Sequence, residues 1–200
     1  RRFAVGFSIG TKGYIGTGES NNQIYHNDFW EWNQATNAWT QKANFGGTPR
    51  WGSINFSIGT KGYIGTGQDS SGMTSDFWEW DQSTNVWTQK ANFPGLKRAE
   101  VSSLAIGNYG YGGIGTTWIG SGTVSDFWKY DPSTNSWTQV ANFGGGLREM
   151  AAGFSIGCKG YIGTGFVNDL NPQSDFWEYT PDTLCSTEGI NEINFSTSIS

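Results

Sequence analysis

The residues of this chain that could do chemistry are few. Histidine occurs once, as His26, so neither a histidine-rich metal site nor a serine–histidine–aspartate triad is expected. Glu100 and Glu149 stand close to arginines, and a carboxylate kept ionised by an arginine is a poor general acid. Asp69 and Asp169 lack the dense Asp/Asn spacing of a calcium loop. The sequence therefore predicts no catalytic residue, no metal and no cofactor.

Arginines and aspartates recur together along the chain. A ring of guanidinium groups could clamp carboxylates or sulfates, whereas repeated Arg–Asp pairs would lock loops or neighbouring repeats. The pairs are favoured, because a feature present in every repeat is a poor candidate for a unique site. The residues are Arg2, Arg50, Arg98 and Arg148, with Asp28, Asp76, Asp126 and Asp175.

The elements that must position these residues are repeats of about 49 residues. The phrase KGYIGTG occupies residues 12–18, 61–67 and 159–165, with a degenerate copy at 109–115, and DFW follows each copy. A period of this length indicates an array of like units, such as a propeller or solenoid. Each unit contains four short runs with strand alternation separated by glycine-rich or polar turns, and none shows sustained helical periodicity. This pattern predicts the four-stranded blade of a β-propeller.

A glycine-rich second strand, an aromatic third strand and T-N-x-W-T in the fourth strand together resemble the kelch repeat. They appear here as YIGTG, as FWEW, FWKY or FWEY, and at residues 36–40, 84–88 and 134–138. The expected fold class is all-β, a β-propeller of kelch-like blades with units at about 1–46, 47–95, 96–144 and 145–184. Some kelch-like propellers are copper oxidases of the galactose oxidase type. That chemistry needs two histidines and a cysteine-linked tyrosine, which this chain cannot supply.

The kelch resemblance implies a propeller of six or seven blades, and four repeat units are fewer than that. The fourth unit also has Ser186 where the fourth-strand tryptophan should lie. Either residues 185–200 supply an atypical closing strand or linker, or the chain is part of a larger ring. The second interpretation is favoured, and it predicts self-association because open blade edges can pair.

The tail at residues 188–195 resembles the lead-in to the C-terminal sorting domain of Bacteroidetes type IX secretion substrates. This resemblance implies a secreted or cell-surface protein, while the alternative is a linker or closing strand. Cys158 and Cys185 fall in turns expected at the same end of the last unit, where strands are about 4.8 Å apart. They predict either a disulfide, which suits an extracytoplasmic protein, or two unpaired thiols in an intracellular one.

The composition of the chain limits the classes of partner that it could bind. The net charge of −5 argues against nucleic acid or an anionic membrane surface, and no apolar run approaches the roughly 20 residues that span a bilayer. Aromatic residues make up 16% of the chain, so large rings must build the core. The tryptophans expected to be buried between blades are Trp30, Trp39, Trp78, Trp87, Trp128, Trp137 and Trp177.

The loops between second and third strands differ most among the repeats and share one rim with the inner-strand entries. They span residues 19–27, 68–75, 116–125 and 166–174. Variable loops on a repeated scaffold are typical of binding sites. Trp118 either offers an exposed ring to a sugar face or folds back on its own blade. The predicted binding residues are Tyr25, His26, Met73, Trp118, Phe166 and Asp169, together with Arg50, Arg98 and Arg148.

We therefore expect a binding or scaffolding module for a glycan or surface protein. The alternative is a metal-independent carbohydrate-active enzyme, an isomerase or hydrolase, on the same propeller. A purely structural adhesin repeat is a third class. A clustered Glu/Asp–Arg–Tyr constellation in the channel mouth would favour the enzyme, and scattered, paired carboxylates would favour the binding module.

Overall fold

The computed structural model describes residues 1–117, 122–168 and 170–181. These ranges form 21 β-strands and one short 3-10 turn, which confirms the all-β propeller-blade prediction. Within them, no helix is long and apolar enough to cross a membrane. The chain divides into two compact units, Arg1–Glu100 and Val101–Ser200, and each contains two blades.

Blade 1 opens the first unit, and its main sheet has the strand order β1-β2-β5-β6, antiparallel throughout. A short ribbon, β3–β4, leaves this sheet between its second and third strands and encloses the 3-10 turn Asn21–Gln23. The strands are β1 (Val5–Ile9), β2 (Lys12–Gly16), β3 (Glu19–Ser20), β4 (Ile24–Tyr25), β5 (Phe29–Asn33) and β6 (Ala38–Gln41).

Blade 2 repeats this plan. Its sheet follows the order β7-β8-β11-β12, and the ribbon β9–β10 again leaves between the second and third strands. The strands are β7 (Ile54–Ile58), β8 (Lys61–Gly65), β9 (Gln68–Asp69), β10 (Gly72–Met73), β11 (Phe77–Asp81) and β12 (Val86–Lys90). The turns before β6 and β12 contain Asn37 and Asn85 in the left-handed conformation, which asparagine tolerates well.

The second unit holds blades 3 and 4. Blade 3 is a four-stranded sheet of β13 (Ser102–Ile106), β14 (Tyr109–Thr116), β15 (Thr123–Asp131) and β16 (Ser136–Val140). In blade 4 three sheet strands fall within the described residues: β17 (Ala152–Ile156), β18 (Lys159–Gly163) and β21 (Phe176–Tyr179), with the ribbon β19 (Phe166–Val167) and β20 (Asn171–Pro172). Cys158 lies in the β17–β18 turn, and Cys185 lies outside the described residues.

The core of the first unit lies between its two blades. Strand β1 packs on β7, and the Phe7 ring occupies the space that a side chain at Gly62 would need. This close approach explains why the second strand carries glycine at that position. The residues buried in this cluster are Val5, Ile9, Tyr14, Phe29, Phe45, Ile64 and Trp80.

The prediction that seven tryptophans are buried was wrong in detail. Trp39 is 56% exposed, and Trp30, Trp78, Trp87, Trp128, Trp137 and Trp177 are only partly buried. The deepest aromatic positions are instead the first ring of the third strand, as in Phe77, and its last ring, as in Trp80. Alternation places Phe77 on one face of the strand and Trp78 with Trp80 on the other, so the depth of each ring depends on what packs over it and not on its face alone.

Candidate binding rim

A buried arginine anchors the second rim hairpin of the first unit. Arg50 is 1% exposed, and its Nη1 and Nη2 atoms donate to Asp76 Oδ1 and Oδ2 at 2.6 and 2.8 Å. Nη1 also donates to the Thr66 carbonyl at 2.9 Å, and Nε to the Thr48 carbonyl at 3.0 Å. The indole of Trp78 donates to Asp76 Oδ2 at 2.7 Å. We call this arrangement, an arginine held by the aspartate and tryptophan of the D-F-W phrase, the clasp. The phrase therefore has a structural role, which is to hold a buried guanidinium group.

The second unit repeats the clasp. Arg148 donates to both Asp175 oxygens, at 2.6 and 2.8 Å, and Trp177 donates to Asp175 Oδ2 at 2.6 Å. In the first unit, Arg98 is fully buried, donates from Nε to the Leu96 carbonyl at 2.9 Å, and stacks its guanidinium group over the Phe93 ring. The Arg–Asp pairs inferred from the repeat are thus confirmed for Arg50 and Arg148. Burial places all three predicted binding arginines beneath the rim surface.

In the first blade, the arginine that pairs with the aspartate is not the one that the sequence analysis predicted. Arg1, not Arg2, occupies the position equivalent to Arg50, and its Nη1 lies 2.8 Å from Asp28 Oδ1. Arg2 instead pairs through Nε with Glu19 Oε1 at 2.6 Å and keeps 73% of its side chain exposed. The correction follows from strand alternation, since a shift of one residue turns the side chain to the other face.

Electrostatics keep the clasp carboxylates ionised. The hydrogen bonds from Arg148 lower the pKa of Asp175 and outweigh the opposing effect of burial. Burial by itself would raise the pKa of Asp76, but hydrogen bonds and charge attraction from Arg50 lower it below its ordinary value. Such groups are poor proton donors near neutral pH.

A second repeated cluster lies across the second and third strands. The hydroxyl groups of Tyr14, Tyr63 and Tyr161 donate to a glutamate on the adjacent strand at 2.8, 2.7 and 3.0 Å. Burial, assisted by the hydrogen bond to Glu31, raises the pKa of Tyr14 to about 12. The described carboxylates in these clusters are scattered over the blades and paired, which is the arrangement expected of a binding module.

Backbone hydrogen bonds join the rim of one blade to the entry of the next. Gly18 N donates to the Arg50 carbonyl at 2.7 Å, and Gly67 N donates to the Arg98 carbonyl at 2.8 Å. The intervening threonines of each Gly-Thr-Gly phrase, Thr17 and Thr66, are left-handed with φ 55°. This conformation turns the chain out of the second strand and into the rim hairpin.

The second-blade hairpin is tied down. Asp69 Oδ1 accepts from Ser71 N at 2.8 Å and Gly72 N at 3.1 Å, and Oδ2 accepts from the Thr48 hydroxyl at 2.7 Å. Thr48 in turn accepts from Arg50 Nη2 at 2.9 Å. Met73 is buried beneath this ribbon. Side-chain hydrogen bonds therefore close this hairpin, and the Asp69 carboxylate is occupied by the turn.

The first-blade hairpin is open. An open cleft of about 520 Å³ is lined by Arg1, Arg2, Glu19, Ser20, Asn21, Asn22 and Gln23. Asn22 and Gln23 are exposed and successively left-handed, with φ 63° and 57°. Two adjacent non-glycine residues in this region store backbone strain, a feature that clusters at functional sites. We name these seven residues the rim cleft.

The remaining predicted residues spread along the rim. Tyr25 is partly buried in β4, and the His26 ring lies 3.0 Å from the Ser20 hydroxyl beside the rim cleft. Phe166 is partly buried in β19 of the second unit, where it pairs with Glu149. Trp118 and Asp169 lie outside the described residues. Of the predicted residues that the structure describes, Tyr25 and His26 adjoin the rim cleft.

Sequence reasoning missed the residues that form the rim cleft. The consecutive amides Asn21, Asn22 and Gln23 interrupt the hairpin, and asparagine's tolerance of left-handed backbone was the signal that could have found them. The aromatic pair of Phe3 and Trp51 was also missed; the centroids of the two rings are 5.0 Å apart. The guanidinium group of Arg2 stacks over the Phe3 ring. No group of three or more potential metal ligands occurs in the part of the chain that the structure describes.

Comparison with known proteins agrees with this architecture. The model of the Kelch motif matches residues 111–144, which include most of β14 and all of β15 and β16. A solved structure titled "Structure of YjhT" is similar, with a TM-score of 0.77 and 17% sequence identity over 99% of this chain. The chain spans 65% of the length of that structure, and at this identity the likeness shows the fold alone. No curated protein matches the chain. The chain therefore contains a kelch motif in its third blade, and its four blades are of the β-propeller type.

Proposed function

We propose that this protein is a binding or scaffolding module whose ligand-contacting surface is the rim cleft. The observation that carries the proposal is the contrast between the two hairpins of the first unit. Hydrogen bonds from the turn to Asp69 close the second hairpin, whereas the first exposes three amide residues, two of them left-handed, beside the largely exposed Arg2. Arg2 donates from Nε to Glu19, lines the cleft and keeps most of its side chain exposed, so its guanidinium group is accessible to a ligand.

A glycan is the partner that this chemistry fits best. Side-chain amides donate and accept hydrogen bonds at once, which matches sugar hydroxyl groups. The Phe3–Trp51 pair beside Arg2 supplies apolar surface for a sugar face. A protein partner is the alternative, since loop amides and arginine also occur in protein interfaces.

The experiment is a glycan array followed by titration of the best-binding glycan. The test variant combines Arg2→Ala with Asn22→Gly, because glycine keeps the left-handed backbone while it removes the amide. The control is Gln34→Ala, an exposed amide in the third–fourth-strand turn of the same blade. We expect at least a tenfold loss of affinity in the rim variant and none in the control. Equal binding by all three proteins would place the ligand elsewhere.

We also propose that the protein is exported to the cell surface or secreted. One support is the resemblance of residues 188–195 to the segment that leads into the C-terminal sorting domain of Bacteroidetes type IX secretion substrates. The other is the pair of cysteines, Cys158 and Cys185, at the fourth repeat. Fractionation of the native host with intact-mass analysis tests this. Recovery of the protein only from the cytoplasm, with both thiols reduced, would contradict export.

A further inference from the structure

His26 occupies a rim position that recurs in every blade but is titratable in one blade alone. Backbone hydrogen bonds define the position, because its residue donates to the last glycine of the Gly-Thr-Gly phrase or accepts from the next clasp arginine. The residues at this position, in chain order, are His26, Thr74, Val124 and Gln173. The blade scaffold therefore does not require a histidine here.

The imidazole ring of His26 connects the end of β4 to β3 in the first rim hairpin. Its Nε2 atom lies 3.0 Å from Oγ of Ser20, the last residue of β3, and Ser20 lines the rim cleft. The second hairpin is closed through Asp69 instead. Burial would raise the pKa of Asp69, but hydrogen bonds from Ser71 and Thr48 lower it, so this carboxylate keeps its charge near neutral pH. The side-chain contact in the first hairpin involves a residue type that changes its charge in that range.

The charge of the ring determines which atom Ser20 offers to the cleft. A charged imidazole carries a hydrogen on both nitrogens, so Nε2 must donate and the Ser20 oxygen must accept. The hydroxyl hydrogen of Ser20 is then available to a bound group. In the neutral ring, Nε2 accepts in one of the two tautomers, and the histidine then takes up the hydroxyl hydrogen. Protonation of His26 therefore makes Ser20 a donor toward the cleft.

The charged side chains around this part of the rim are already paired with one another. The pairs are Arg1 with Asp28, Arg2 with Glu19, and Arg50 with Asp76. Burial raises the pKa of Asp28, whereas its hydrogen bonds and the charge of His26 lower it, so the two side chains interact. Carboxylates ordinarily lose their protons below pH 5 and arginine stays charged. Histidine is the residue type in this group that changes charge between about pH 5 and pH 8.

These pairs set the sign of the effect. Each arginine that lines the cleft is balanced by a carboxylate, so a charge on His26 makes the local balance positive. The donor from Ser20 is gained at the same time. Both changes favour carboxylate and sulfate oxygens, which carry negative charge and accept hydrogen bonds.

We propose that His26 makes glycan binding at the rim cleft dependent on pH, and that glycans bearing carboxylate or sulfate groups bind more tightly when the ring is charged. The inference rests on the proposed function, because it assigns the regulation of that same site. His26 acts on the ligand through Ser20 and through its charge, and is therefore a positioning residue.

The test is an array of neutral, carboxylated and sulfated glycans, probed at about pH 5.5 and about pH 7.5, on either side of the ordinary histidine transition. The proteins are the unchanged chain, His26→Gln, and Gln34→Ala as the control. Glutamine is neutral at both pH values and can still bond to Ser20. Circular dichroism melts at both pH values check folding, and His26→Asn replaces a glutamine variant that fails to fold.

We expect the carboxylated and sulfated glycans that bind best to lose about tenfold in affinity from the lower to the higher pH. Neutral glycans should change by less than about twofold. Gln34→Ala should follow the unchanged chain, and His26→Gln should remove the difference between the two pH values. The α-amino group also titrates near pH 8, and any effect that it has persists in His26→Gln.

A second readout follows the ring itself. The chain has a single histidine, so one NMR resonance reports its titration. Because coupling is reciprocal, a saturating glycan that binds tenfold more tightly to the charged form raises the midpoint of this titration by about one pH unit. A histidine with a structural role alone would not respond in this way.

Equal affinities at the two pH values, the same pH response in His26→Gln, an equal gain for neutral glycans, or an unmoved midpoint would each overturn this inference. The proposed function would stand in those cases, since the cleft would still bind a glycan. Absence of glycan binding at both pH values would overturn the proposed function and this inference with it.

Discussion

Arg50 and Asp76 lie 26 residues apart in the chain and meet in a two-point ion pair, with Nη–Oδ distances of 2.6 and 2.8 Å. The guanidinium group is almost fully buried, so it depends on this carboxylate and on neighbouring carbonyls for compensation. The pair fastens the entry of the inner strand to the start of the third strand. The rim hairpin between them is thereby held at a fixed position.

Asp76→Asn should destabilise the protein by about 3–5 kcal/mol, because it leaves a buried guanidinium group without its counter-charge. The matched control is Asp81→Asn, which keeps its turn hydrogen bond to Ser83 N while losing an ion pair to Lys61 at the surface. Urea denaturation of both variants measures the difference. Equal destabilisation by the two substitutions would contradict the role given to the clasp.

The free energy of unfolding should fall at acid pH. The pKa of Asp76 and of Asp175 is lowered in the folded state from 3.8, so the folded protein binds these protons less tightly than the unfolded chain. Their contribution is therefore complete above about pH 4–5 and is lost as the pH falls through the folded-state pKa. Urea midpoints between about pH 6 and pH 2 measure this, and Asp76→Asn should flatten the profile. An unchanged acid limb in that variant would assign the effect to other carboxylates.

Trp87→Ala should cost about 3–5 kcal/mol, because it opens a cavity between Phe29 and Phe45 and removes the indole bond to the Ala43 carbonyl at 3.1 Å. Trp39→Ala removes the same residue type from the same strand position of blade 1, where the ring is mostly exposed. That control should cost less than about 1 kcal/mol. Thermal and urea unfolding at low protein concentration separate the two. Comparable losses would mean that the interface does not depend on Trp87.

Gly62→Ala should cost about 1–3 kcal/mol, since the added methyl group overlaps the Phe7 ring and must displace it. Gly13→Ala is the control, because its methyl group would have only Trp32 within 4 Å. This substitution should be neutral or slightly stabilising, as the alanine reduces the freedom of the unfolded chain. Similar melting temperatures for the two variants would argue against close packing of the blades.

Cys158 and Cys185 remain predicted disulfide partners. Alkylation of the denatured, non-reduced protein with iodoacetamide should leave both thiols unmodified, whereas prior reduction should add two carbamidomethyl groups. A bond closing this loop of about 27 residues would stabilise the chain by roughly 3 kcal/mol. Alkylation of both thiols without reduction would contradict the pairing.

The repeat phrases predict the blades because each phrase carries its own local constraints. In the third strand, the alternation of Phe77, Trp78 and Trp80 determines which rings share a face, and Asn85 permits the turn that follows. The arginine of the first repeat was misplaced by one residue, since Arg1 and Arg2 are adjacent and chemically alike. Only strand pairing distinguishes the one that faces Asp28 from the one that faces Glu19. The open first hairpin was missed although its asparagines signal a left-handed turn, because that signal does not say whether a side chain ties the turn down, as Asp69 does in the second blade.

The sequence by itself determined the repeat, the strands within it and the pairing of arginine with aspartate, because these follow from residue types at a constant period. Tertiary structure alone decided which apolar residues are covered. Ile15 and Ile64 occupy the same place in the same phrase, yet one is exposed and the other is buried. Burial depends on the surface that a neighbouring blade presents, and a local pattern carries no information about that neighbour.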